Sequence, residues 1–221
     1  MAPDPTVFIV DDDEALRESL KWLLQSVSLP ARTFASAQEF LQAYDRDQSG
    51  CLVLDVRMPG MSGLELLDRL VAEKVGIPVI ILTAHADVPM AVRALKGGAA
   101  DFLTKPFNSQ ELLDRIQVAL ERDRRHRASR TQVAALAERF SALTPREREV
   151  MRMVVYGRSN KEIAAQLGVS AKTVEAHRNK VMEKTRAQSV AELVRLAIAT
   201  GAAPEPLISG ESPFEEERCT S

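Results

Sequence analysis

The sequence predicts an α/β protein in which a five-stranded, parallel, doubly wound sheet is followed by a small all-α domain of four helices. Short apolar runs alternate five times with amphipathic stretches over residues 1–121, whereas residues 144–200 keep helical spacing with no strand pattern. A chain of 221 residues is also long enough for two domains. We therefore expect one domain at 1–121 and a second at 142–201.

The first domain is predicted element by element from apolar runs, helical spacing and helix caps. Capping pairs, in which Ser or Asn precedes Glu by three residues, begin at Ser36, Ser62 and Asn108. Strands that alternate with helices form parallel sheets covered on both faces. The predicted strands are 7–10, 31–34, 51–54, 79–83 and 101–103, and the predicted helices are 15–28, 36–44, 64–73, 88–96 and 110–121.

The remaining chain is predicted to be helical up to about residue 200. Thr144, Ser159 and Ser189 each precede Glu by three residues, and Pro145 occupies the favoured first helical position. The predicted helices are 145–155, 160–167, 171–185 and 190–199. Residues 122–141 form a basic linker that either extends the fifth helix or acts as a flexible tether. Residues 202–221 are acidic, contain little to bury, and are expected to be disordered.

Composition and charge exclude several classes of protein. No apolar run reaches about 18 residues, and the amino terminus lacks a signal-peptide pattern, so neither a membrane protein nor a secreted one is expected. Two cysteines make no disulfide framework or metal cluster. Residues 1–121 hold 11 Lys and Arg against 18 Asp and Glu, whereas 142–201 hold 11 against 6. We expect a cytoplasmic protein whose second domain can approach a polyanion.

Polar residues follow the predicted strands where each strand ends. Asp11 and Asp12 follow the first strand, Asp55 ends the third, Thr83 ends the fourth, and Lys105 follows the fifth. Ligands of open parallel sheets gather at this edge. Neighbouring carboxylates need a cation, Mg²⁺ prefers oxygen ligands, and a lysine suits a phosphate as a point charge. Asp13 is expected to be a helix cap.

These residues and their surroundings resemble the receiver domain of two-component response regulators, a flavodoxin-like fold. The matching motifs are FIVDDD (8–13), LVLDVRMPGMSG (52–63), ILTAH (81–85) and FLTKPF (102–107). The resemblance implies that Asp55 accepts a phosphoryl group from a histidine kinase. It implies the following further roles: Mg²⁺ ligands at Asp11, Asp12, Asp55 and the backbone carbonyl of Arg57, phosphoryl contacts from Thr83 and Lys105, a switch formed by Thr83 and Phe102, and a cis peptide bond before Pro106.

A phosphatase is the competing interpretation of an aspartate at a strand end. Haloacid-dehalogenase-like phosphatases also use an aspartate at a strand end, but they need a second aspartate two residues later, where this chain has Arg57. A metal-dependent phosphatase acting on small substrates is therefore the weaker hypothesis, and the chain is predicted not to be an enzyme. Turnover of exogenous phosphomonoesters would favour the phosphatase.

The stretch 159–184 has the layout of a helix-turn-helix. Gly168 permits the turn, Ser170 caps the second helix, and Val174, His177 and Val181 are spaced to form a buried seam. The opposite face of that helix is polar and suits the major groove. With the preceding segment LTPREREVMRMVVYGRSNKEIA, residues 142–200 resemble the LuxR-type DNA-binding domain. A small helical bundle that binds protein is the competing interpretation.

The LuxR resemblance assigns candidate DNA contacts to the second helix of the motif. Phosphate contacts are assigned to Lys172, Thr173, His177 and Lys180, and base contacts to Glu175, Ala176, Arg178 and Asn179. Two alternatives stay open, because Glu175 and Arg178 can pair with each other and His177 can be a packed core residue. The fourth helix of the domain is expected to support dimerisation.

Together, the two resemblances place the chain with the NarL/FixJ family of response regulators. They imply phosphorylation at Asp55 with Mg²⁺, repacking of the face formed by the fourth helix, fifth strand and fifth helix, and then dimerisation or release of the DNA-binding domain to regulate transcription. The implied partners are a sensor histidine kinase, double-stranded promoter DNA, a second copy of the phosphorylated chain and, as a further candidate, RNA polymerase. A protein-docking module with little DNA binding is the alternative.

Overall fold

The computed structural model describes residues 4–84 and 88–202, and its first half is built on one parallel sheet. Its strands are β1 (Thr6–Val10), β2 (Ala31–Phe34), β3 (Gly50–Asp55), β4 (Val79–Thr83) and β5 (Asp101–Thr104). Their order is β2-β1-β3-β4-β5, and every neighbouring pair is parallel. This confirms the predicted fold class, and the carboxyl ends of all five strands lie along one edge.

Helices cover both faces of this sheet. They are α1 (Glu14–Ser26), α2 (Ala37–Ala43), α3 (Gly63–Ala72), α4 (Val88–Lys96) and α5 (Ser109–Ser141). Successive residues of β1 face opposite sides, so Phe8 packs in the core beneath α2 and α3 whereas Val7 and Ile9 pack beneath α1 and α5. The buried strands therefore read as continuous apolar runs in the sequence.

Side-chain caps begin most of these helices. Asp13 caps α1 by accepting a hydrogen bond from the backbone N–H of Leu16, which confirms its predicted role. Ser62 and Glu65 form a reciprocal capping box at α3. These caps satisfy donors that the first turn of a helix leaves unpaired, and they fix the point at which each loop leaves the edge of the sheet.

Helix α5 continues to Ser141, so residues 122–141 extend the fifth helix, which is one of the two alternatives left open for this segment. No Gly or Pro interrupts residues 109–144, and Glu121 accepts hydrogen bonds from Arg124 and Arg125 within the same helix. The linker 122–141 is therefore helical in the structure. The chain divides into two units, Met1–Ala128 and Ser129–Ser221, and the boundary falls within α5.

The second unit contains the four helices that were predicted. They are α6 (Pro145–Val155), α7 (Asn160–Leu167), α8 (Ala171–Thr185) and α9 (Val190–Ala199). Its core includes Val150, Ile163, Val174 and Leu193, which are all fully buried. The predicted disordered tail, beyond Ala202, lies outside the described residues.

Over residues 4–84 and 88–202, no helix combines the length and the hydrophobicity that a membrane crossing requires.

Candidate functional site

Three side chains from different strands meet at the carboxyl edge of the sheet. Lys105, which follows β5, places its Nζ 2.7 Å from Asp11 Oδ2 and 2.6 Å from Asp55 Oδ1. Asp11 follows β1 and is 1% exposed, and Asp55 ends β3 and is 6% exposed. Because an ionised carboxylate is costly to bury without a partner, this ammonium is what stabilises the pair. These are the residues that the strand ends predicted.

Backbone N–H groups complete the surroundings of both carboxylates. Asp11 Oδ1 accepts from the N–H of Asp13 at 3.0 Å, and Asp55 Oδ2 accepts from the N–H of Arg57 at 2.6 Å. Each carboxylate thus keeps one oxygen on the backbone and gives the other to Lys105. The two side chains are held in fixed orientations, as a reacting group and its neighbour must be.

Burial and ion pairing shift the pKa values of the charged groups in this site in opposite directions. Burial raises the pKa of Asp11 above its usual range, although the hydrogen bond from Lys105 acts to lower it. Burial alone would lower the pKa of Lys105, but its hydrogen bonds to Asp11 and Asp55 raise it above the usual value. Two carboxylates here share one ammonium, so further cationic charge would stabilise this edge of the sheet.

The donor set fits Mg²⁺ through two buried carboxylates. Asp11 and Asp55 each bring an oxygen within 2.7 Å of the same nitrogen, so both can face one small cation, and Mg²⁺ is commonly held by one or two carboxylates plus water and phosphate oxygens. Asp12 is exposed. Within residues 4–84 and 88–202, no three His, Cys, Asp or Glu side chains are grouped to hold a metal, so Asp12 as a third ligand stays a prediction.

The predicted switch residues lie on the adjacent strands. Thr83, at the end of β4, is buried, and its hydroxyl is 4.0 Å from the sulfur of Met90 in α4. Phe102 in β5 is half-buried against the core beneath α2 and α3. The peptide bond between Lys105 and Pro106 is cis. His85, the last residue of one motif, lies outside the described residues.

The helix-turn-helix is formed by α7, a turn and α8. Gly168 has φ +66°, a left-handed conformation that glycine adopts without strain, and Ser170 caps α8. Val174 and Val181 are buried in the predicted seam, whereas His177 between them is half-buried. The turn and cap fix the angle at which α8 leaves α7.

The outer face of α8 is exposed and polar. The exposed candidate contacts are Lys172, Thr173, Glu175, Ala176, Asn179 and Lys180. Thr173 also shares a 2.8 Å hydrogen bond with Ser170 Oγ, so its hydroxyl takes part in the cap. An exposed, polar helix face of this kind can be accommodated in a major groove.

Arg178 is engaged with α7. Its Nη1 donates to Asn160 Oδ1 at 3.0 Å, and the side chain is half-buried. In this conformation Arg178 contacts the neighbouring helix. The sequence suggested an i, i+3 pairing with Glu175 as its intramolecular contact, so the contact with Asn160 was not predicted.

Two further sets of residues were missed by sequence reasoning. Arg17 in α1 donates to the backbone carbonyl of Asp11 at 2.8 Å. Buried Asp123 in α5 accepts hydrogen bonds from Ser49 and Arg127. The position of Arg17, one helical turn after the Asp13 cap, could have indicated its contact with the loop. The i, i+4 spacing of Asp123 and Arg127 could have indicated that these two residues pair, but it does not show that they also contact the loop before β3.

Comparison with known proteins agrees with this geometry. Residues 7–117 match the family described as "Response regulator receiver domain", and residues 141–197 match "Bacterial regulatory proteins, luxR family". Nodulation protein W of Bradyrhizobium diazoefficiens is 49% identical over 88% of this chain and 86% of its own length. The transcriptional regulatory protein FixJ of the same organism is 44% identical over 88% of this chain and 95% of its own.

The solved structures include a relative that matches most of this chain. The response regulator StyR superposes with a TM-score of 0.79 at 46% identity, covering 89% of this chain and 99% of the solved StyR chain. Both units of the chain are thus matched by family, and their order is that of FixJ. The chain belongs to the NarL/FixJ family of two-component response regulators, in which a receiver domain is followed by a LuxR-type DNA-binding domain, and it controls transcription.

Proposed function

We propose that Asp55 is the phosphoacceptor of this response regulator and that a sensor histidine kinase is the donor. One oxygen of the Asp55 carboxylate attacks the phosphorus of a phosphohistidine. The P–N bond breaks as the new P–O bond forms, and the departing imidazole keeps the electron pair and takes up a proton. The placement of Lys105 Nζ 2.6 Å from Asp55 Oδ1, within a buried site, is the observation that supports this proposal most strongly.

Lys105 and the acidic residues have complementary parts in this step. The ammonium of Lys105 already contacts both Asp11 and Asp55, so it can follow the negative charge from the carboxylate to the transferring oxygens. Asp11 and Asp55 would hold Mg²⁺, with Asp12 and the backbone carbonyl of Arg57 as the remaining protein ligands. The ion would supply Lewis-acid stabilisation of the phosphoryl oxygens.

We assign the switch to Thr83 and Phe102. Thr83 is buried beside Met90, at the carboxyl end of β4, from which its hydroxyl can turn toward a phosphoryl group on Asp55. The ring of Phe102 is half-buried, and we expect it to rotate inward when Asp55 is phosphorylated. These movements would reshape the face formed by α4, β5 and α5, and the phosphorylated chain would form a homodimer through it.

We assign promoter binding to α8. Lys172, Thr173, His177 and Lys180 would contact phosphates, and Glu175, Ala176 and Asn179 would face base edges. Arg178 can join the base contacts only by exchanging its hydrogen bond to Asn160. Bound to a promoter in the cytoplasm, the dimer would act on RNA polymerase, and the protein would function as a regulator without turnover of exogenous substrates.

Labelling with a small phosphodonor tests the receiver assignment. The full chain is incubated with radiolabelled acetyl phosphate and Mg²⁺, and the protein-bound label is counted. Asp55→Asn should reduce the label to background because the attacking oxygen is lost. Asp68→Asn, the same substitution at an exposed position of α3, should stay within about twofold of wild type. Undiminished labelling of Asp55→Asn would refute the assignment.

The salt dependence of DNA binding tests the assignment of α8. Lys180→Gln should weaken binding to all DNA sequences and reduce the slope of log K against log salt by about 1, because one fewer phosphate is neutralised. Fluorescence anisotropy with a labelled duplex measures both. Lys74→Gln, a matched change on the receiver, serves as the control. An unchanged slope for Lys180→Gln would show that this lysine contacts no phosphate.

A further inference from the structure

Three hydrogen bonds hold the backbone of the loop that carries Asp11 and Asp12. The N–H of Asp11 donates to the carbonyl of Phe34 at 3.2 Å, and the N–H of Asp13 donates to Asp11 Oδ1 at 3.0 Å. The third contact is made by Arg17, whose Nη1 donates to the carbonyl oxygen of Asp11 at 2.8 Å. Lys105 contacts the side chain of Asp11, whereas Arg17 contacts its backbone carbonyl.

Arg17 reaches this carbonyl from the first turn of α1. Asp13 caps the helix, and the N–H of Arg17 donates to the carbonyl of Asp13, so the arginine backbone is fixed relative to the loop. The regular pairing of β1 with β3 ends at Val10 opposite Leu54. The Asp11 carbonyl therefore lies just beyond the hydrogen bonds that pair β1 with β3, and it accepts a hydrogen bond from the side chain of Arg17 instead.

The bond to the carbonyl of Asp11 also orients Asp12. The carbonyl of Asp11 and the N–H of Asp12 belong to one planar peptide unit, so fixing the oxygen fixes the plane and limits the directions open to the next side chain. Asp12 is exposed, which leaves its side chain few packing constraints of its own. The orientation of the Asp12 carboxylate thus depends on the Asp11–Asp12 peptide, which Arg17 holds in place.

We propose that Arg17 is a positioning residue for the divalent-cation site, which it serves through the Asp11–Asp12 peptide and not by contact with the cation. This inference deepens the proposed function and depends on it. Residues that orient metal ligands from the next layer outward change metal affinity by about 10- to 100-fold when they are removed.

A charge argument predicts the opposite result, which makes the proposal testable. A guanidinium near a cation site repels the cation, so if Arg17 acted only by its charge, neutralising it would tighten Mg²⁺ binding. If Arg17 positions the peptide, neutralising it weakens Mg²⁺ binding because the ligands lose their orientation. The sign of the change separates the two.

The experiment is an Mg²⁺ titration of the full, unphosphorylated chain followed by NMR shifts of the backbone amides of residues 11–13. Arg17→Gln removes the charge and is too short to keep the contact, and we expect its Mg²⁺ dissociation constant to rise about tenfold. Lys21→Gln is the matched control, because Lys21 lies one turn further along α1 and forms an ion pair with Glu18 at 3.7 Å. The control should stay within twofold of wild type.

Each result has one meaning. Unchanged or tighter binding by Arg17→Gln overturns the inference. If Arg17→Gln does not fold, Arg17→Lys replaces it; a two- to fivefold loss, despite the retained charge, supports positioning, and an unchanged constant overturns it. If wild type shows no saturable shift with Mg²⁺, the proposed magnesium site itself fails. If wild type saturates and Arg17→Gln matches it, only the role of Arg17 fails.

Discussion

Glu147 shows how one side chain can serve two local structures in the DNA-binding unit. Its carboxylate accepts the N–H of Thr144 at 2.8 Å, which completes the capping box of α6, and it accepts Lys184 Nζ from α8 at 2.6 Å. The carboxylate side chain is only 4% exposed. The hydrogen bond from Lys184, with that from Thr144, lowers the pKa of Glu147 to about 2.

The stability of this unit should therefore depend on the charge of Glu147. Because its folded pKa lies below the unfolded value of 4.5, the stabilisation is fully present above about pH 4.5 and is lost as the pH falls toward about 2. Glu147→Gln should lower the free energy of unfolding by ~3 kcal/mol at neutral pH, and about half of that difference should disappear at about pH 3.

Urea unfolding followed by NMR intensities of α8 amides measures this at both pH values. Glu149→Gln is the control on the same helix, because Glu149 pairs with Arg146 while 46% exposed, and exposed pairs contribute less than about 1 kcal/mol. A Glu147→Gln difference that did not change with pH would contradict the depressed pKa.

At the scale of elements, the continuation of α5 past residue 121 is anchored to the receiver. Asp123 is 1% exposed, and its Oδ2 accepts from Ser49 Oγ at 2.7 Å and from the N–H of Gly50 at 3.0 Å. Arg127 donates to the same carboxylate and to the carbonyls of the loop before β3, including Gln48 at 2.6 Å. The first turns of the linker therefore belong to the receiver.

Breaking this anchor should loosen both segments that it joins. Asp123→Asn keeps the size of the side chain but leaves Arg127 without its carboxylate, and we expect amide exchange at 122–128 and 46–50 to accelerate by about 100-fold. Hydrogen exchange with mass spectrometry measures this. The control Glu121→Gln breaks the pairs of Glu121 with the exposed Arg124 and Arg125 on the helix surface and should change exchange less than twofold. Equal exchange in Asp123→Asn and wild type would refute the anchor.

At the scale of the whole molecule, the sequence could predict those features that depend on residues close together in the chain. The strand ends at Asp55 and Thr83, the caps at Ser62 and Thr144 and the turn at Gly168 each have a signal within a few residues. The sequence left the end of α5 open, because no stop signal follows residue 121 and propensity alone does not show how far a helix continues. The Asp123 anchor joins residues more than 70 positions apart, and no spacing rule reports such a contact.

The distribution of charge along the chain differs between the receiver and the DNA-binding unit. The acidic receiver concentrates carboxylates at one edge of its sheet, which suits a cation and a phosphoryl group, whereas the basic second unit suits a polyanion. Neither property requires the other, since each unit has its own core. The proposed function requires that they be coupled, so that one phosphoryl group changes affinity for DNA.

That coupling is tested most directly by measuring the DNA affinity of the same protein before and after phosphorylation. Duplexes are first selected from a random pool by the phosphorylated chain, and affinity is then measured at one fixed salt concentration for wild type and Asp55→Asn. We predict that acetyl phosphate with Mg²⁺ raises wild-type affinity at least tenfold and leaves Asp55→Asn unchanged. Wild-type affinity that does not respond, or an equal rise in Asp55→Asn, would contradict the account.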